Sequence, residues 1–332
     1  MKWEIKLASN ELLHDWKIAG SSLKVKENYI ITLHKGEYKG VGELALGSKE
    51  VVKLENLNYD LSQVEQACEL EQIASFYDFT NILDGIDFIN DSLRFAIESA
   101  FIDYLHQATD IEKWKIIGTN TIKSVESLCS IPIFSSADEA KSLIGEHPPA
   151  YIYKFKISKE TISEQIKFFN DFDKAIVLDG NESWGSDVEG FLNDISELDQ
   201  EKVLFVEQPL DRYALDAYKT LKEKSPVDIY LDESLQSHIH LDNFVELCHG
   251  VVIKATKACS HMKMVTQMTN AKKAGLKTVL GCMVESSLGI SSLFTVAYGF
   301  DYYDLDGFTK LKNDPFNKVF WDKGKVVLSD MN

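Results

Sequence analysis

Eight short apolar segments recur along the chain after residue 127 and constrain its fold more than any other feature. Helical apolar patterns lie between most of them, and no hairpin signal joins them. Such alternation is typical of parallel strands that are connected by helical crossovers. Eight units of this kind close into a barrel. The predicted strands are residues 128–134, 151–157, 174–179, 202–207, 228–232, 250–254, 277–283 and 300–306.

No clear helical pattern follows the eighth strand, so we predict an α/β fold with a (β/α)7β TIM-like barrel. An open doubly wound sheet is the alternative, but no glycine-rich phosphate loop follows the first strand. The segment before the barrel differs in texture, with a hairpin over 28–46 and helices over 60–77 and 87–108, which indicates an α+β capping domain. We assign residues 1–118 to this domain, completed by a C-terminal segment over 308–332, and residues 119–307 to the barrel.

The charge of the chain excludes two classes of partner. Its 52 acidic and 35 basic residues give a formal net charge of −17. Nucleic acids and anionic membrane surfaces both need clustered positive charge, so we expect neither as a partner. No apolar run approaches the length of a membrane span. The five cysteines are scattered, without a C-x-x-C pair, which favours free thiols and a cytoplasmic location.

One polar side chain ends each of five consecutive predicted strands: Lys156, Asp179, Glu207, Asp232 and Lys254. Strand ends are often polar merely because they lead into polar loops. Three successive strands that end in carboxylates, with a lysine-ending strand on each side, favour a functional site over that explanation. Chemistry in a barrel of this kind lies at the carboxyl ends of the strands. Three converging carboxylates form an oxygen cage for a hard divalent cation, and we predict Mg²⁺.

Lys154 and Lys156 stand two residues apart and therefore on the same face of their strand. An ordinary lysine, with a pKa near 10.4, is a poor base at neutral pH. A second ammonium group and a metal nearby would lower that pKa, so we predict Lys156 as a base and Lys154 as the group that tunes it. Mg²⁺ on a substrate carboxylate would stabilise the dianion that forms when an α-proton is removed.

Five motifs, in this order, resemble those of the enolase superfamily and its muconate-lactonizing subgroup. The resemblance covers nearly the whole chain and includes "GVGE" (40–43) of the capping domain. It implies one Mg²⁺ per subunit on the three carboxylates, with Lys156 and Lys254 as acid and base on opposite faces of the substrate. The motifs are "KFK" (154–156), "LDGNESW" (178–184), "VEQPL" (206–210), "LDES" (231–234) and "IKATK" (253–257).

The last two strands narrow the resemblance to the dipeptide epimerases. "GCMVESSLG" (281–289) and "DLDG" (304–307) are similar to their motifs, in which Asp304 and Asp306 would hold the free α-ammonium of a dipeptide. Two carboxylates at i and i+2 face one cation together. A polar strand end before a turn at Gly307 is the structural alternative. Further predicted contacts are Cys282, Met283 and Glu285 with the substrate, and Asn181 and Glu182 around the first metal ligand.

These residues predict an isomerase that epimerises the C-terminal residue of a dipeptide by two-lysine 1,1-proton transfer through an enolate. An o-succinylbenzoate synthase or an N-acylamino-acid racemase shares both lysines and all three carboxylates, and only Asp304 and Asp306 argue against them. A silent scaffold would be expected to lack one of these groups, and none is missing. The preferred dipeptide, the pathway and the choice between monomer and homo-oligomer stay open.

Two stretches depart from the family pattern, and a third leaves specificity open. "LDGNESW" has Gly180 where alanine is usual, and "ACSHM" (258–262) replaces a Gly-Gly turn. The loop around 20–28, which usually covers the substrate, is short. Lys24 or Lys26 is a candidate partner for an acidic substrate side chain, with solvation of both lysines as the alternative.

Overall fold

The computed structural model describes residues 1–18, 21–47, 50–70, 73–235 and 241–329. Gly20 of the predicted 20–28 loop and residues 330–332 of the predicted C-terminal segment lie outside this range. The strands are β1 (Lys2–Ile18), β2 (Ser21–Lys35), β3 (Tyr38–Leu44), β4 (Ser124–Glu126), β5 (Cys129–Ile131), β6 (Ile152–Lys156), β7 (Ala175–Asp179), β8 (Val203–Glu207), β9 (Ile229–Leu231), β10 (Gly250–Lys254), β11 (Lys277–Gly281), β12 (Tyr302–Asp304), β13 (Val319–Asp322) and β14 (Lys325–Leu328). The helices are α1 (Leu54–Leu70), α2 (Phe76–Asp84), α3 (Leu93–Thr109), α4 (Lys113–Ile116), α5 (Ala137–Glu146), α6 (Ile162–Asp171), α7 (Val188–Asp194), α8 (Leu215–Lys224), α9 (Ala255–Ala258), α10 (His261–Lys273) and α11 (Ser287–Leu293).

The eight strands from β5 to β12 form one parallel sheet in sequence order, as predicted. Leu128 N–H donates to the carbonyl of Tyr303 over 2.8 Å, which brings the two ends of the sheet together. Among the described residues after β12, the one helical element is a 3₁₀ turn over Gly307–Lys310, so no regular eighth helix is seen there. The predicted (β/α)7β barrel is therefore confirmed.

The alternation on β6 has a simple cause in this barrel. Phe155 points outward and packs its ring against Phe134, Phe168 and Phe169 beneath the outer helices. Lys154 and its neighbour two residues on point inward, where a barrel keeps its polar chemistry. The lower interior is closed by a separate apolar cluster that includes the stacked rings of Phe205 and Tyr230.

The N-terminal sheet has the order β1-β2-β3 and is antiparallel. The predicted hairpin over 28–46 is present, with a turn at Gly36, but the sequence prediction missed the long strand β1. Residues 21–28, predicted as part of a loop, belong to β2 and pair with β1. Residues 2–7 alternate polar and apolar side chains as a strand does, a signal that the prediction overlooked, and the alternation is lost only from Ala8 onward.

The helix predicted over 60–77 is wrong in its extent, although residues 71–72 lie outside the described range. Helix α1 ends at Leu70, and α2 begins at Phe76 behind its own N-cap, Ser75. The hydroxyl of Ser75 accepts from the backbone of Asp78, whose carboxylate accepts in return from the backbone of Ser75. This capping box fixes a new helix start where the apolar spacing alone suggested continuity.

The C-terminal segment contacts both parts of the molecule. Leu311 pairs with Leu12 of β1, and Lys312 N–H donates to the carbonyl of Glu11 over 2.8 Å. Farther along this segment, however, β14 pairs with β13 and β4. The division into residues 1–118 with 308–332, and 119–307, stays a prediction.

The helices and the cysteines bear on the class of protein. Among the described helices, none combines the length and the apolar character that crossing a bilayer would require. All five cysteines are free thiols, as predicted.

The contact between β3 and α3 supports a prediction about stability. An added Cβ at Gly42 would lie 2.2 Å from the carbonyl oxygen of Ala96, a helix backbone atom that cannot yield easily. Gly42→Ala should therefore lower the free energy of unfolding by about 1–3 kcal/mol, measured by urea denaturation. Gly145 in α5 has open space around it, so Gly145→Ala should instead stabilise by about 0.5–1 kcal/mol. Equal effects of the two substitutions would contradict this account.

Candidate active site

The three predicted metal ligands come together at the carboxyl end of the barrel. Asp179 and Glu207 are the last residues of β7 and β8 and are direct register partners. Asp232 follows β9 by one residue. Asp179 and Glu207 are fully buried and Asp232 is nearly so, which is uncommon for carboxylates without a compensating charge.

Two lysines of β6 supply part of that charge. Lys156 Nζ lies 2.5 Å from Asp179 Oδ2, and both residues stand at the same register level. Lys154 lies deeper, 1% exposed, with its Nζ 2.9 Å from Asp179, 2.7 Å from Glu207 and 2.9 Å from Asp304. Lys154 therefore connects the carboxylates at the third and fourth strands with the one at the eighth.

Lys254 occupies the other side of the carboxylates. It ends β10, the sixth barrel strand, and its Nζ lies 2.9 Å from Asp232 Oδ2. Lys156 ends the second strand, so the two lysines are four strands apart and face each other across an eight-stranded barrel. Lys257 also pairs with Asp232, a contact that the sequence interpretation missed because Lys257 lies one turn beyond the strand end.

The electrostatics of the cluster follow from burial and from these ion pairs. Burial favours the neutral form of Lys154, but Asp179, Asp304 and Glu207 outweigh it and raise its pKa. Asp232 likewise overcomes burial and raises the pKa of Lys254. The lowering predicted for a base lysine close to a bound metal stays a prediction. In the metal-free protein, carboxylates surround Lys154 and Lys254 and raise the pKa of both. A cation on the carboxylates would weaken this effect.

Glu207 differs from the other two carboxylates. Burial and then the charge of Asp179 raise its pKa to about 8. Among the described residues, no well-directed hydrogen-bond donor reaches either of its oxygens, although Lys154 Nζ is 2.7 Å away from one of them. A buried carboxylate whose oxygens accept no directed hydrogen bond is suited to act as a ligand of a cation.

The donor set fits a hard divalent cation in its chemistry. Three carboxylates from adjacent strands, with Glu207 lacking donors, are the oxygen ligands that Mg²⁺ prefers. Within the described range, no group of three or more His, Cys, Asp or Glu side chains is spaced as a ready metal cluster. The ion pairs of Asp179 and Asp232 with lysines account for that spacing.

Asn181 contacts the first carboxylate, and the role predicted for Asn181 and Glu182 around a metal ligand stays a prediction. Asn181 N–H donates to Asp179 Oδ1 over 3.1 Å, and Asn181 and Glu182 adopt positive φ angles of 40° and 70°. Glu182 accepts a bidentate pair from Arg212 over 2.7 and 2.6 Å. An added Cβ at Gly180 would lie 2.8 Å from Pro209 Cα, so this close turn favours glycine over the alanine usual in the family.

Gln208 is a supporting residue that the sequence interpretation missed. Its side-chain carbonyl accepts from the backbone N–H of Asp232 over 2.8 Å, and its amide donates to Ser234 and Tyr218. The residue is fully buried and has φ of 40°. It lies in "VEQPL", where its amide holds the turn that carries Asp232.

Asp304 and Asp306 end the eighth strand, and both already have cationic partners. Asp304 pairs with Lys154, while Asp306 Oδ2 lies 2.8 Å from Lys310 Nζ and accepts from Ser130 N–H over 2.5 Å. Burial raises the pKa of Asp306, against the opposing charge of Lys310, whereas Lys154 lowers that of Asp304.

A cavity of about 500 Å³ opens above these groups. Cys282 and Met283 line it, as predicted, but Glu285 lines a separate small cavity and accepts from Met283 N–H over 3.1 Å. Lys26 is buried, contrary to the expected exposure of both lysines, and donates to the carbonyl of Leu46, whereas Lys24 is exposed. Other lining residues are Trp16, Glu50, Ser130, Asn181, Glu182, Arg212, Thr256, Lys257, Val284 and Lys310.

Comparisons with known proteins find a matching family and similar chains. Residues 152–314 match the family described as enolase C-terminal domain-like. An L-Ala-D/L-Glu epimerase of Bacteroides thetaiotaomicron is 27% identical over 304 residues, which are 89% of this chain and 78% of that protein. An L-Ala-D/L-amino acid epimerase of Flavobacterium johnsoniae is 26% identical and covers 100% of this chain and 98% of its own.

The fold also resembles solved structures. A dipeptide epimerase from Cytophaga hutchinsonii, complexed with Mg and the dipeptide D-Ala-L-Val, superimposes with a TM-score of 0.83. The identity is 19%, and the match covers 98% of this chain and 92% of that one. At this identity the likeness concerns the fold.

Proposed function

The chain belongs, through residues 152–314, to the enolase C-terminal domain-like family, and on that premise we propose that it is a Mg²⁺-dependent dipeptide epimerase. It would invert the α-carbon of the C-terminal residue by 1,1-proton transfer. One observation carries this proposal above the others. Lys156 and Lys254 end the second and sixth barrel strands, on opposite sides, with the carboxylates between them. Inversion requires one base on each face of the reacting carbon.

Each lysine has a defined part in this reaction. One removes the α-proton from one face of the substrate, and the other returns a proton to the opposite face. Lys156 is held by Asp179 and Lys254 by Asp232, so both ammonium groups approach the same region of the cavity. Lys154, buried among three carboxylates, would fix the charge balance beneath the substrate.

Asp179, Glu207 and Asp232 would hold the metal. When bound, Mg²⁺ supplies Lewis-acid stabilisation for negative charge on the substrate carboxylate. Asn181 would orient Asp179, and Gln208 would orient Asp232 through its backbone. A cation here would also satisfy the oxygens of Glu207 that have no directed donor.

The other end of the substrate would meet the eighth strand. Asp304 and Asp306 lie in the wall of the cavity and offer carboxylate charge to a free α-ammonium group. Epimerases acting on dipeptides are also the most similar curated relatives described above. The family alternative, an N-acylamino-acid racemase, would place an uncharged acyl group against the same two carboxylates.

Proton exchange in D₂O tests this function directly. Wild-type protein with Mg²⁺ is incubated with a library of dipeptides and, as a comparison, the matching N-acyl amino acids. We expect α-deuterium at the C-terminal residue of at least one dipeptide, by mass spectrometry and NMR, together with its epimer. Turnover of the acyl compounds with no exchange in any dipeptide would contradict the proposal.

A further inference from the structure

Lys310 lies in the wall of the cavity, where the proposed reaction leaves it without a role. The residue ends the 3₁₀ turn after β12 and is 4% exposed. Its Nζ makes three contacts: 2.8 Å to Asp306 Oδ2, 2.6 Å to the carbonyl of Ser130 and 4.8 Å to the ring centre of Trp16. A buried ammonium group with three fitted partners is held in one place, unlike a solvated lysine.

The contacts of Asp306 are distributed unevenly between its two oxygens. Lys310 Nζ and Ser130 N–H both meet Oδ2. No described residue donates a hydrogen bond to Oδ1, and Asp306 lines the cavity. Oδ1 is therefore the atom that this side chain can offer to a ligand.

Without Lys310, two buried carboxylates would stand side by side on the strand end. Asp304 and Asp306 are 5% and 4% exposed, and Asp304 would keep Lys154 as its partner, so burial and the charge of Asp304 would favour the neutral form of Asp306. A protonated Asp306 would give an incoming ammonium group a neutral acceptor in place of a charged one. Lys310 thus keeps the pair anionic and fixes the direction of Asp306.

Trp16 connects this cation to the N-terminal sheet. The indole belongs to a small apolar cluster with Leu12 and Leu311, and it lines the same cavity. The chain just after Lys310 is joined to β1 by the bridge between Leu12 and Leu311. The cation–π contact with Lys310 therefore places a capping-domain side chain at the wall formed by Asp306.

We propose that Lys310 is a positioning residue that, with Trp16, makes Asp306 selective for substrates with a free α-ammonium group. The inference rests on the proposed function, because the ammonium belongs to a dipeptide. Lys310 does not touch the reacting carbon. Its effect should appear in binding and in KM, and kcat should stay nearly unchanged.

The test compares a dipeptide with its N-acetyl derivative, using the dipeptide that wild-type protein binds best. Kd is measured by calorimetry with Mg²⁺, beside KM and kcat. We expect Lys310→Met to raise Kd and KM for the free dipeptide by roughly tenfold, the loss of one charge-assisted contact, and to leave the acetylated compound unchanged. Lys310→Arg should restore most of the affinity.

Two further variants complete the design. Lys312→Met makes the same change two residues on, where the lysine is exposed and pairs with Glu11, and should change nothing. Trp16→Leu should weaken binding less than Lys310→Met, and the double variant should equal Lys310→Met alone. If Lys310→Met fails to fold, the affinities for the free and the acetylated dipeptide are compared in Lys310→Arg and Trp16→Leu instead.

The outcomes separate this inference from the proposed function. Turnover of dipeptides with unchanged affinity in Lys310→Met overturns the role of Lys310 alone. Tighter binding also overturns it, since Lys310 would then compete with the substrate ammonium. Dipeptide binding that depends on Lys310 without any turnover sinks the epimerase and leaves the inference standing. A wild-type protein that binds no dipeptide overturns both.

Discussion

Replacing Lys156 or Lys254 by alanine is expected to lower the rate of epimerisation by about 10²–10⁴-fold, the contribution typical of one acid–base group. Each variant keeps the other of the two proposed acid–base lysines, which lies on the opposite side of the barrel. The remaining base can still remove a proton from one face of the α-carbon. Each variant should therefore exchange deuterium into only one epimer of the substrate, and the two variants should prefer opposite epimers.

The measurement is α-deuterium incorporation into both epimers of the same dipeptide, followed separately by NMR. Lys159→Ala is the matched control, because Lys159 lies three residues after Lys156, is exposed and pairs with Asp187 outside the cavity. It should leave both exchange rates unchanged. Retained epimerisation in both active-site variants would rule out a two-base mechanism.

The barrel followed from the sequence because its signal is repeated eight times. A strand such as β10 is apolar throughout and ends on a single lysine, so its register and its chemistry are both visible in the primary structure. β1 gives a weaker signal, because its side chains alternate only over residues 2–7 and the pattern is lost from Ala8 onward. Ser75 ended one predicted helix by a local cap that apolar spacing does not record.

The residues of the candidate site also fall into those that the sequence predicted and those that it missed. Asp179, Glu207, Asp232, Lys156 and Lys254 were found because each ends a strand, and parallel strands bring such ends together. Partners that come from turns or from the other domain were missed. Lys310 meets Asp306 only through a 3₁₀ turn, and Trp16 reaches the cavity from a strand about 290 residues earlier in the chain.

Replacing Glu207 by glutamine is expected to change stability and activity in opposite directions. In the metal-free protein, burial and Asp179 raise the pKa of Glu207 from its ordinary 4.5 to about 8. The folded state therefore binds a proton more tightly than the unfolded state does. The contribution of Glu207 to metal-free stability is fully present below pH 4.5 and is lost as pH rises through 8, by about 5 kcal/mol at most.

Glu207→Gln has no carboxylate to deprotonate, so its metal-free stability should vary less with pH in this window and exceed that of the wild type at pH 8. Urea unfolding with a chelator present, at pH 5 to 8, measures this difference. Glu201→Gln is the isosteric control, since Glu201 is exposed and lies just before β8. It should leave the pH dependence unchanged.

Added Mg²⁺ should reverse the order of the two proteins. A ligand that binds only the folded state raises the unfolding temperature with its concentration, so the wild type should gain stability and Glu207→Gln should gain little. Epimerisation by the variant should fall by more than the ten- to hundredfold that is typical of outer-shell substitutions. Equal stabilisation of both proteins by Mg²⁺ would show that Glu207 is not a ligand. Glu207 would then owe its burial to its ion pair with Lys154.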